Sequence, residues 1–183
     1  MADCGHTLFA TAIGPCGIAW GPHGVRAVQL PEADAQRTRA RMLRGCEGCE
    51  VQAEPPASVQ GAIAGIQALL AGEPRDLREV VLDMERVSDF HQRVYAYARA
   101  IPPGSTRTYG EVAEALGDKA LSRAVGQALG LNPFAPVVPC HRVLAAGQRA
   151  GGFSAGGGTR TKLRMLEIEG APLGAGGQPG LFD

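Results

Sequence analysis

Long apolar runs and aromatic side chains are scarce in this 183-residue sequence. Phe, Trp and Tyr make up only 5% of it, and no stretch approaches the roughly 20 apolar residues that a membrane-spanning helix needs. Residues 1–14 also lack the basic segment and long apolar stretch of a secretory signal, so we expect a cytoplasmic protein. With 45% hydrophobic and 20% charged residues, the composition excludes a disordered or fibrous chain and predicts one large or two small domains.

A net charge is missing as well, because 18 Lys and Arg balance 18 Asp and Glu. The charges are unevenly distributed, however. Residues 1–85 contain 7 basic and 11 acidic side chains, whereas residues 86–170 contain 11 basic and 6 acidic ones. A basic C-terminal half is suited to contacts with phosphate groups. Uneven surface charge without a ligand is the alternative, and the asymmetry alone does not decide between the two.

The number of cysteines is odd, which argues against a disulfide scaffold. The five are Cys4, Cys16, Cys46, Cys49 and Cys140. Cys46 and Cys49 have the C-x-x-C spacing of half a zinc site. Cys4, Cys16 and His23 hint at further ligands, but no convincing fourth ligand completes a set, so we predict no bound metal.

The first portion of the chain reads as a small α+β unit that ends near residue 86. Strands are predicted at 8–12, 17–20 and 25–30, with a hairpin turn at 21–24. A short helix is predicted at 33–45, followed by a loop at 46–56. Val59, Ile63, Ile66 and Leu70 form the stripe of an amphipathic helix. Residues 80–82 predict a further strand.

The second portion reads as helical. Asp89 is predicted to cap a helix that presents Phe90, Val94, Tyr97 and Ile101 on one face. Helices follow at 109–116 and 120–129, separated by a tight turn at 117–119, and Gly130 is the expected C-cap of the latter. Two short helices around a turn containing glycine predict a helix-turn-helix, with a plain helical hairpin as the alternative.

Reactive side chains are densest around Cys140, which stands between Pro139 and His141. A free thiol has a pKa of about 8.5, so a base or a dipole must supply the thiolate at neutral pH. His141 can act as that base directly or through a water, and Glu169 or Glu167 can orient its ring. A buried, inert cysteine beside a surface histidine is the alternative interpretation.

The pentapeptide Pro-Cys-His-Arg-Val at 139–143 resembles the active-site signature of the O6-alkylguanine-DNA alkyltransferases, also known as methylated-DNA–protein-cysteine methyltransferases. The resemblance covers roughly residues 86–172 and includes the segments 101–104, 108–113, 123–126, 132–133 and 152–157. It implies an α+β fold, in which a small ribonuclease-H-like sheet domain with a helix (1–85) precedes an all-helical DNA-binding and catalytic domain with a helix-turn-helix (86–172). Residues 173–183 would be a flexible tail.

The resemblance also implies a reaction, the irreversible transfer of an alkyl group from O6-alkylguanine to Cys140. His141 would remove the thiol proton through a water, and Glu169 would hold His141. Asn132 would brace the turn before the cysteine, and Tyr109 would help to protonate the departing base. A thioether leaves poorly, so each molecule would act once, on O6-methylguanine and on O4-methylthymine, without a cofactor.

Double-stranded DNA containing the lesion is the partner that the resemblance implies, bound through its minor groove with the damaged base flipped out. Arg123 would fill the vacated stack, and the small residues Ala124 and Gly126 would lie close to the groove. Positions implied to contact the substrate or DNA also include Arg142, the Val143 carbonyl, Phe153 as a pocket wall and the Ser154 backbone.

The C-terminal residues Gln178, Leu181 and Phe182 resemble peptides that dock bacterial sliding clamps, and a frayed tail is the alternative. We expect a monomer. Three other functions fit the sequence less well. A lesion sensor would typically lack Cys140. A cysteine hydrolase rarely uses sequence neighbours as its dyad, and a transcription factor would need an effector site.

Overall fold

The computed structural model describes residues 3–148 and 157–172. Contacts along the chain divide it into two compact units, Met1–Arg86 with Pro133–Val137, and Val87–Asn132 with Val138–Asp183. Pro133–Val137 therefore packs with the first unit and not with its neighbours in sequence. The predicted domain division at 85 and 172 stays a prediction.

Five strands, six α-helices and three short 3-10 helices make up the regular structure of the described residues. The strands are β1 (Gly5–Phe9), β2 (Cys16–Gly21), β3 (Gly24–Gln29), β4 (Arg107–Thr108) and β5 (Val143–Leu144). The helices are α1 (Ala35–Arg44), α2 (Ala57–Leu70), α3 (Asp89–Arg99), α4 (Tyr109–Ala115), α5 (Ser122–Gly130) and α6 (Thr159–Ile168). The expected mixture of a small sheet and helices is confirmed.

The first unit is built on an antiparallel sheet in which β2 lies between β1 and β3. Met42 of α1 packs on Ala19 and Ala27 of this sheet, together with Cys46 and Cys49. The tight turn between β2 and β3 needs glycine at position 24, because its φ is +125° and a Cβ would lie 2.6 Å from the Val81 carbonyl oxygen. Whether the unit is ribonuclease-H-like stays a prediction.

Two expectations for the first unit are wrong. Strand β1 ends at Phe9, so it lies about three residues earlier than predicted. Residues 80–82 do not form a strand, since only an isolated parallel bridge joins Leu82 to Val25. The Val25 N–H donates to the Val81 carbonyl at 2.9 Å, and the Val25 carbonyl accepts from the Asp83 N–H at 2.8 Å. These two hydrogen bonds hold the segment against β3 without adding a strand to the sheet.

Two helices of the second unit, α3 and α4, begin at side-chain caps. Ser88 Oγ accepts from the His91 N–H at 3.3 Å, so the predicted cap at Asp89 is wrong, and Asp89 is the first residue of α3. Thr108 Oγ1 accepts from the Glu111 N–H at 3.1 Å and begins α4. Gly130 is the last residue of α5, and the cap is Leu131 instead.

The second unit is not all-helical, which corrects the expectation from sequence. Strands β4 and β5 pair in parallel, with Arg107 opposite Val143 and Thr108 opposite Leu144. The pair is only two residues long, yet it joins the start of α4 to the chain that follows Cys140. This short ladder therefore sets the distance between the two segments that carry the predicted site.

Candidate active site

Cys140 begins a single 3-10 turn, Cys140–Arg142, directly after Pro139. The Arg142 N–H donates to the Pro139 carbonyl at 2.9 Å, and the Cys140 N–H donates to the Val138 carbonyl at 2.8 Å. Asn132 braces the approach to the turn, because its Nδ2 also donates to the Val138 carbonyl, at 2.8 Å. Proline at 139 removes one donor and fixes one dihedral, so the cysteine is held in a single orientation.

The surroundings of the Cys140 sulfur act on its pKa in opposite directions. Only 6% of the residue is exposed, and this burial raises the pKa of the thiol. A hydrogen bond with the Asn132 side chain, the positive charge of Lys162 and the backbone N–H groups of Cys140 and His141 all oppose that rise. The site thus contains several groups that stabilise the thiolate more than the thiol.

His141 is completely buried, and its ring is oriented by Glu169. The Nε2 donates to Glu169 Oε1 at 2.6 Å. Hydrogen bonds and charges from His141 and Arg142 lower the pKa of Glu169 to about 2, against the desolvation that would raise it. An ionised carboxylate only accepts, so the ring proton must sit on Nε2. Nδ1 then carries a lone pair, and it is buried without a hydrogen-bond partner among the described residues. Burial also lowers the pKa of His141, which keeps the ring neutral.

Arg142 lies in the interior with 1% of its surface exposed. Its Nε and Nη2 donate to the two Glu169 oxygens at 3.0 and 2.8 Å, and its Nη1 donates to the Ile101 carbonyl at 2.8 Å. A guanidinium held by these three bonds cannot also reach DNA, so the expected DNA contact of Arg142 is replaced by a structural role on Glu169.

Tyr109 directly follows β4, in which Arg107 lies opposite Val143 of β5, and one ammonium, that of Lys162, donates to both the Tyr109 hydroxyl and the Val143 carbonyl. Burial, and then the nearby Cys140, raise the pKa of the Tyr109 phenol, which keeps it protonated at neutral pH. Gly126 of α5 lies beside the same ring, since a Cβ built on it would be 4.0 Å from Tyr109 Cδ1. The predicted site residues Cys140, Tyr109 and Val143 are thus brought together.

Lys162 is the residue of this site that sequence reasoning missed. It is 1% exposed, and its Nζ donates to the Val143 carbonyl at 2.8 Å and to the Tyr109 hydroxyl at 3.4 Å. The ammonium also lies 5.6 Å from the centre of the Tyr109 ring. Burial lowers its pKa to about 8, although Cys140 opposes this. Lysines are rarely buried, so we did not expect Lys162 in the interior. The one signal for it was its position on the same helical segment as Glu169, seven residues earlier.

Comparisons with known proteins point to one family. A family model described as 6-O-methylguanine DNA methyltransferase, DNA binding domain, matches residues 89–171. A methylated-DNA–protein-cysteine methyltransferase of Mycobacterium bovis is 44% identical over 114 residues, which are 62% of this chain and 67% of the relative. A protein of the same name from Methanothermobacter thermautotrophicus is 35% identical over 157 residues, 86% of this chain and 80% of the relative. The chain belongs to the methylated-DNA–protein-cysteine methyltransferases.

A solved structure supports this membership in three dimensions. The crystal structure of Mycobacterium tuberculosis OGT in complex with DNA is 34% identical, with a TM-score of 0.69, and the match covers 92% of this chain and 95% of that chain. The resemblance that the sequence motifs indicated is therefore confirmed, and it extends beyond residues 86–172 into the sheet unit.

The residues predicted to face DNA are less completely described. Arg123 lies in the first turn of α5 and is exposed, and Ala124 is half-buried. Phe153 and Ser154, the predicted pocket wall and oxygen contact, lie outside the described residues, as do the predicted clamp-binding residues of the tail.

The described residues contain neither a candidate metal cluster nor a membrane-spanning helix. In residues 3–148 and 157–172, no group of three or more His, Cys, Asp or Glu side chains is arranged to hold a metal ion. Within those same ranges, every helix is too short or too polar to traverse a bilayer.

Proposed function

We propose that this chain is a DNA repair alkyltransferase that moves the alkyl group of O6-alkylguanine, and of O4-methylthymine, onto its own Cys140. One observation carries the proposal. The buried Cys140 lies beside the buried ammonium of Lys162 and next to His141 in sequence. The Glu169 carboxylate holds the His141 proton on Nε2 and so leaves the Nδ1 lone pair free. The family membership supplies the substrate class.

The first step is removal of the Cys140 proton. His141 is the acceptor, because Glu169 holds the ring proton on Nε2 and leaves Nδ1 basic. We assign the transfer to a water between the sulfur and Nδ1, in the way general bases commonly act. The positive charge of Lys162 and the Asn132 hydrogen bond stabilise the thiolate that results.

The second step is a direct displacement at the alkyl carbon. A sulfur–carbon bond forms while the carbon–O6 bond breaks, and the bonding electrons pass to the guanine. Tyr109 gives its hydroxyl proton to the departing base, the thiol proton remains on His141, and exchange with solvent restores both groups after the transfer. Lys162 assists because its Nζ donates to the Tyr109 hydroxyl, and this stabilises a phenolate while the proton is away.

The product explains why the protein acts once. S-alkylcysteine is a thioether, whose sulfur is a poor leaving group, and among the described residues the site holds one sulfur. The alkylated chain is therefore spent, and no methyl-donor cofactor is required.

Access to the base requires that it leave the helix, since O6 is stacked and paired in duplex DNA. We assign DNA binding to α4 and α5, which pack on one another, and we take them as the two helices of the expected helix-turn-helix. They would enter the minor groove with Arg123 in the gap left by the flipped base. A planar guanidinium can stack there and donate to the orphaned partner.

The test is to incubate the full chain with duplex DNA containing O6-methylguanine and to weigh its tryptic peptide 124–142. This peptide contains Cys140 as its single cysteine. We expect a gain of one methyl group, at most one per chain, and none in Cys140→Ser. Binding of the lesion without modification would make the protein a lesion sensor, and repeated removal of lesions by one chain would make it a true catalyst. Both outcomes contradict the proposal.

The tail carries a separate proposal, that Gln178, Leu181 and Phe182 dock a sliding clamp. Removing residues 178–183 should abolish binding to a purified bacterial clamp and leave alkyl transfer unchanged. Unaltered clamp binding would dispose of the idea. A monomeric state and a cytoplasmic location stay predictions.

A further inference from the structure

A second pair of reactive groups lies in the first unit, far along the chain from Cys140. Cys46 Sγ and Cys49 Sγ are 2.8 Å apart. They are brought together by the C-x-x-C turn, in which the Cys49 N–H donates to the Cys46 carbonyl at 3.3 Å. Gly48 takes a φ of +88° within this turn, which favours glycine there.

Arg26 of β3 reaches this turn with its guanidinium. Its Nη1 donates to the Glu47 carbonyl at 2.8 Å and lies 3.5 Å from Cys49 Sγ. Cys49 is thus the sulfur that the guanidinium contacts, and its thiol donates to the Trp20 carbonyl at 3.6 Å. Cys46 is placed differently, because its thiol donates to Cys49 Sγ and burial raises its pKa to about 12.

Both sulfurs are buried, yet only a thin layer covers them. The two residues between them, Glu47 and Gly48, are exposed, and 17% of the Arg26 side chain is exposed as well. The turn between them is therefore the exposed side of the pair, from which a small oxidant can approach.

We propose that Cys46 and Cys49 form a redox dithiol that hydrogen peroxide converts reversibly into a disulfide. The Cys49 sulfur attacks one peroxide oxygen as it loses its thiol proton, the O–O bond breaks, and the released hydroxide takes that proton to leave as water. Cys49 is then a sulfenic acid. The Cys46 sulfur attacks the Cys49 sulfur, a second water leaves with the Cys46 proton, and the S–S bond forms. Two thiols and one peroxide thus yield one disulfide and two waters.

The position of the pair indicates a sensor and not a structural staple. A bond between residues three apart closes a very short ring, and it removes little entropy from the unfolded chain. Disulfides of reducing compartments are typically transient and redox-sensing. The proposal does not depend on alkyl transfer, since neither cysteine belongs to the Cys140 site.

The experiment treats the full chain with hydrogen peroxide, blocks the remaining thiols under denaturing conditions, and weighs the tryptic peptide 45–75, which contains both cysteines. We expect this peptide to become lighter by two hydrogens and to carry no blocking group, and dithiothreitol should reverse the change. Cys16 is the matched control. It is equally buried, but its sulfur has Thr11 Oγ1 at 3.8 Å as its partner, so it should remain a thiol.

Variants test which sulfur reacts first. In Cys46→Ser, we expect Cys49 to stop at the sulfenic acid, which dimedone traps, and Cys49→Ser should give no trapped product at Cys46. Arg26→Met removes the guanidinium and its contact with Cys49 Sγ, and it should slow oxidation of Cys49 several-fold. The proposal is overturned if both cysteines remain thiols, and so still react with the blocking reagent, at peroxide concentrations that oxidise Cys140. Stoichiometric zinc bound to them in the purified chain would also overturn it. Alkyl transfer in Cys46→Ser should equal that of the unmodified chain whatever these results are.

Discussion

Replacing Glu169 by glutamine should destabilise the fold, because this one carboxylate serves two buried partners. Its side chain is 3% exposed, and its pKa lies at about 2 instead of 4.5. Each pKa unit corresponds to about 1.4 kcal/mol, so the ionised group contributes about 3 kcal/mol of stability at pH 7. Removing one partner of a buried ion pair typically costs about 3–5 kcal/mol, which agrees with that figure.

The pH dependence gives the same prediction a sign. A carboxyl whose folded pKa is depressed binds fewer protons in the folded state than in the unfolded state. Its contribution is therefore complete above about pH 4.5 and is lost as the pH falls towards 2. His141, whose folded pKa is lowered, adds a loss in the same direction that begins near its ordinary value, so the loss between pH 4.5 and 2 is the part that reports on Glu169.

The assay is urea denaturation followed by helical circular dichroism, at pH 7 and at intervals down to pH 2. Glu167→Gln is the matched control, because Glu167 is 55% exposed and its pairing with Arg164 at 3.5 Å is a surface contact worth under about 1 kcal/mol. We expect a loss of about 3 kcal/mol for Glu169→Gln at pH 7 and little change for the control. Equal stabilities of the two variants, or a fold that gains stability between pH 4.5 and 2, would refute the reasoning.

The remaining predictions concern the reaction and can be followed as the rate of Cys140 alkylation. Lys162→Met should slow alkylation about tenfold at pH 7, because it removes a charge that favours the Cys140 thiolate. The same change should raise the free energy of unfolding by up to about 3 kcal/mol, since burial lowers the pKa of Lys162 to about 8. A variant that is both slower and less stable would contradict this. The rate should rise with pH as the thiol deprotonates and should level near pH 8, where Lys162 loses its proton, and a rate that falls steadily from pH 6 would count against the scheme. Tyr109→Phe should lower the rate about hundredfold, as expected for loss of a general acid, with the fold intact by circular dichroism. Arg123→Ala should slow repair of duplex DNA but not the reaction with a free alkylated base, and Arg44→Ala, an exposed change on α1, should affect neither.

The sequence was informative where structure is local and much less so where it depends on distant segments. The Cys140 turn could be predicted because five consecutive residues, 139–143, determine it. The apolar stripe of α2 also has a period that shows in the sequence. Strands β4 and β5 could not be found in this way, since two residues have no alternation to detect, and their pairing joins segments 36 residues apart in sequence.

Buried charged residues were the other class that sequence patterns could not place. Arg142 and Lys162 belong to residue types that are almost never fully buried unless paired, so each was expected at the surface or was overlooked. Their partners are the Glu169 carboxylate for one and the Val143 carbonyl for the other. Neither partner is adjacent in sequence, and only the folded chain shows which charge is neutralised.

That difference in partners is what makes the site reactive. Glu169 accepts hydrogen bonds from both His141 and Arg142. Its negative charge therefore fixes the His141 tautomer and neutralises the Arg142 guanidinium. The hydrogen-bond partners of Lys162, a carbonyl and a phenol, are neutral, and its charge remains available to the Cys140 sulfur. Burying an ammonium in this way costs stability, and the lowered pKa of Lys162 records that cost. The fold thus carries a preorganised positive charge that gains its compensating anion only when Cys140 becomes a thiolate, so the charge stabilises the reactive form of the site more than its resting form.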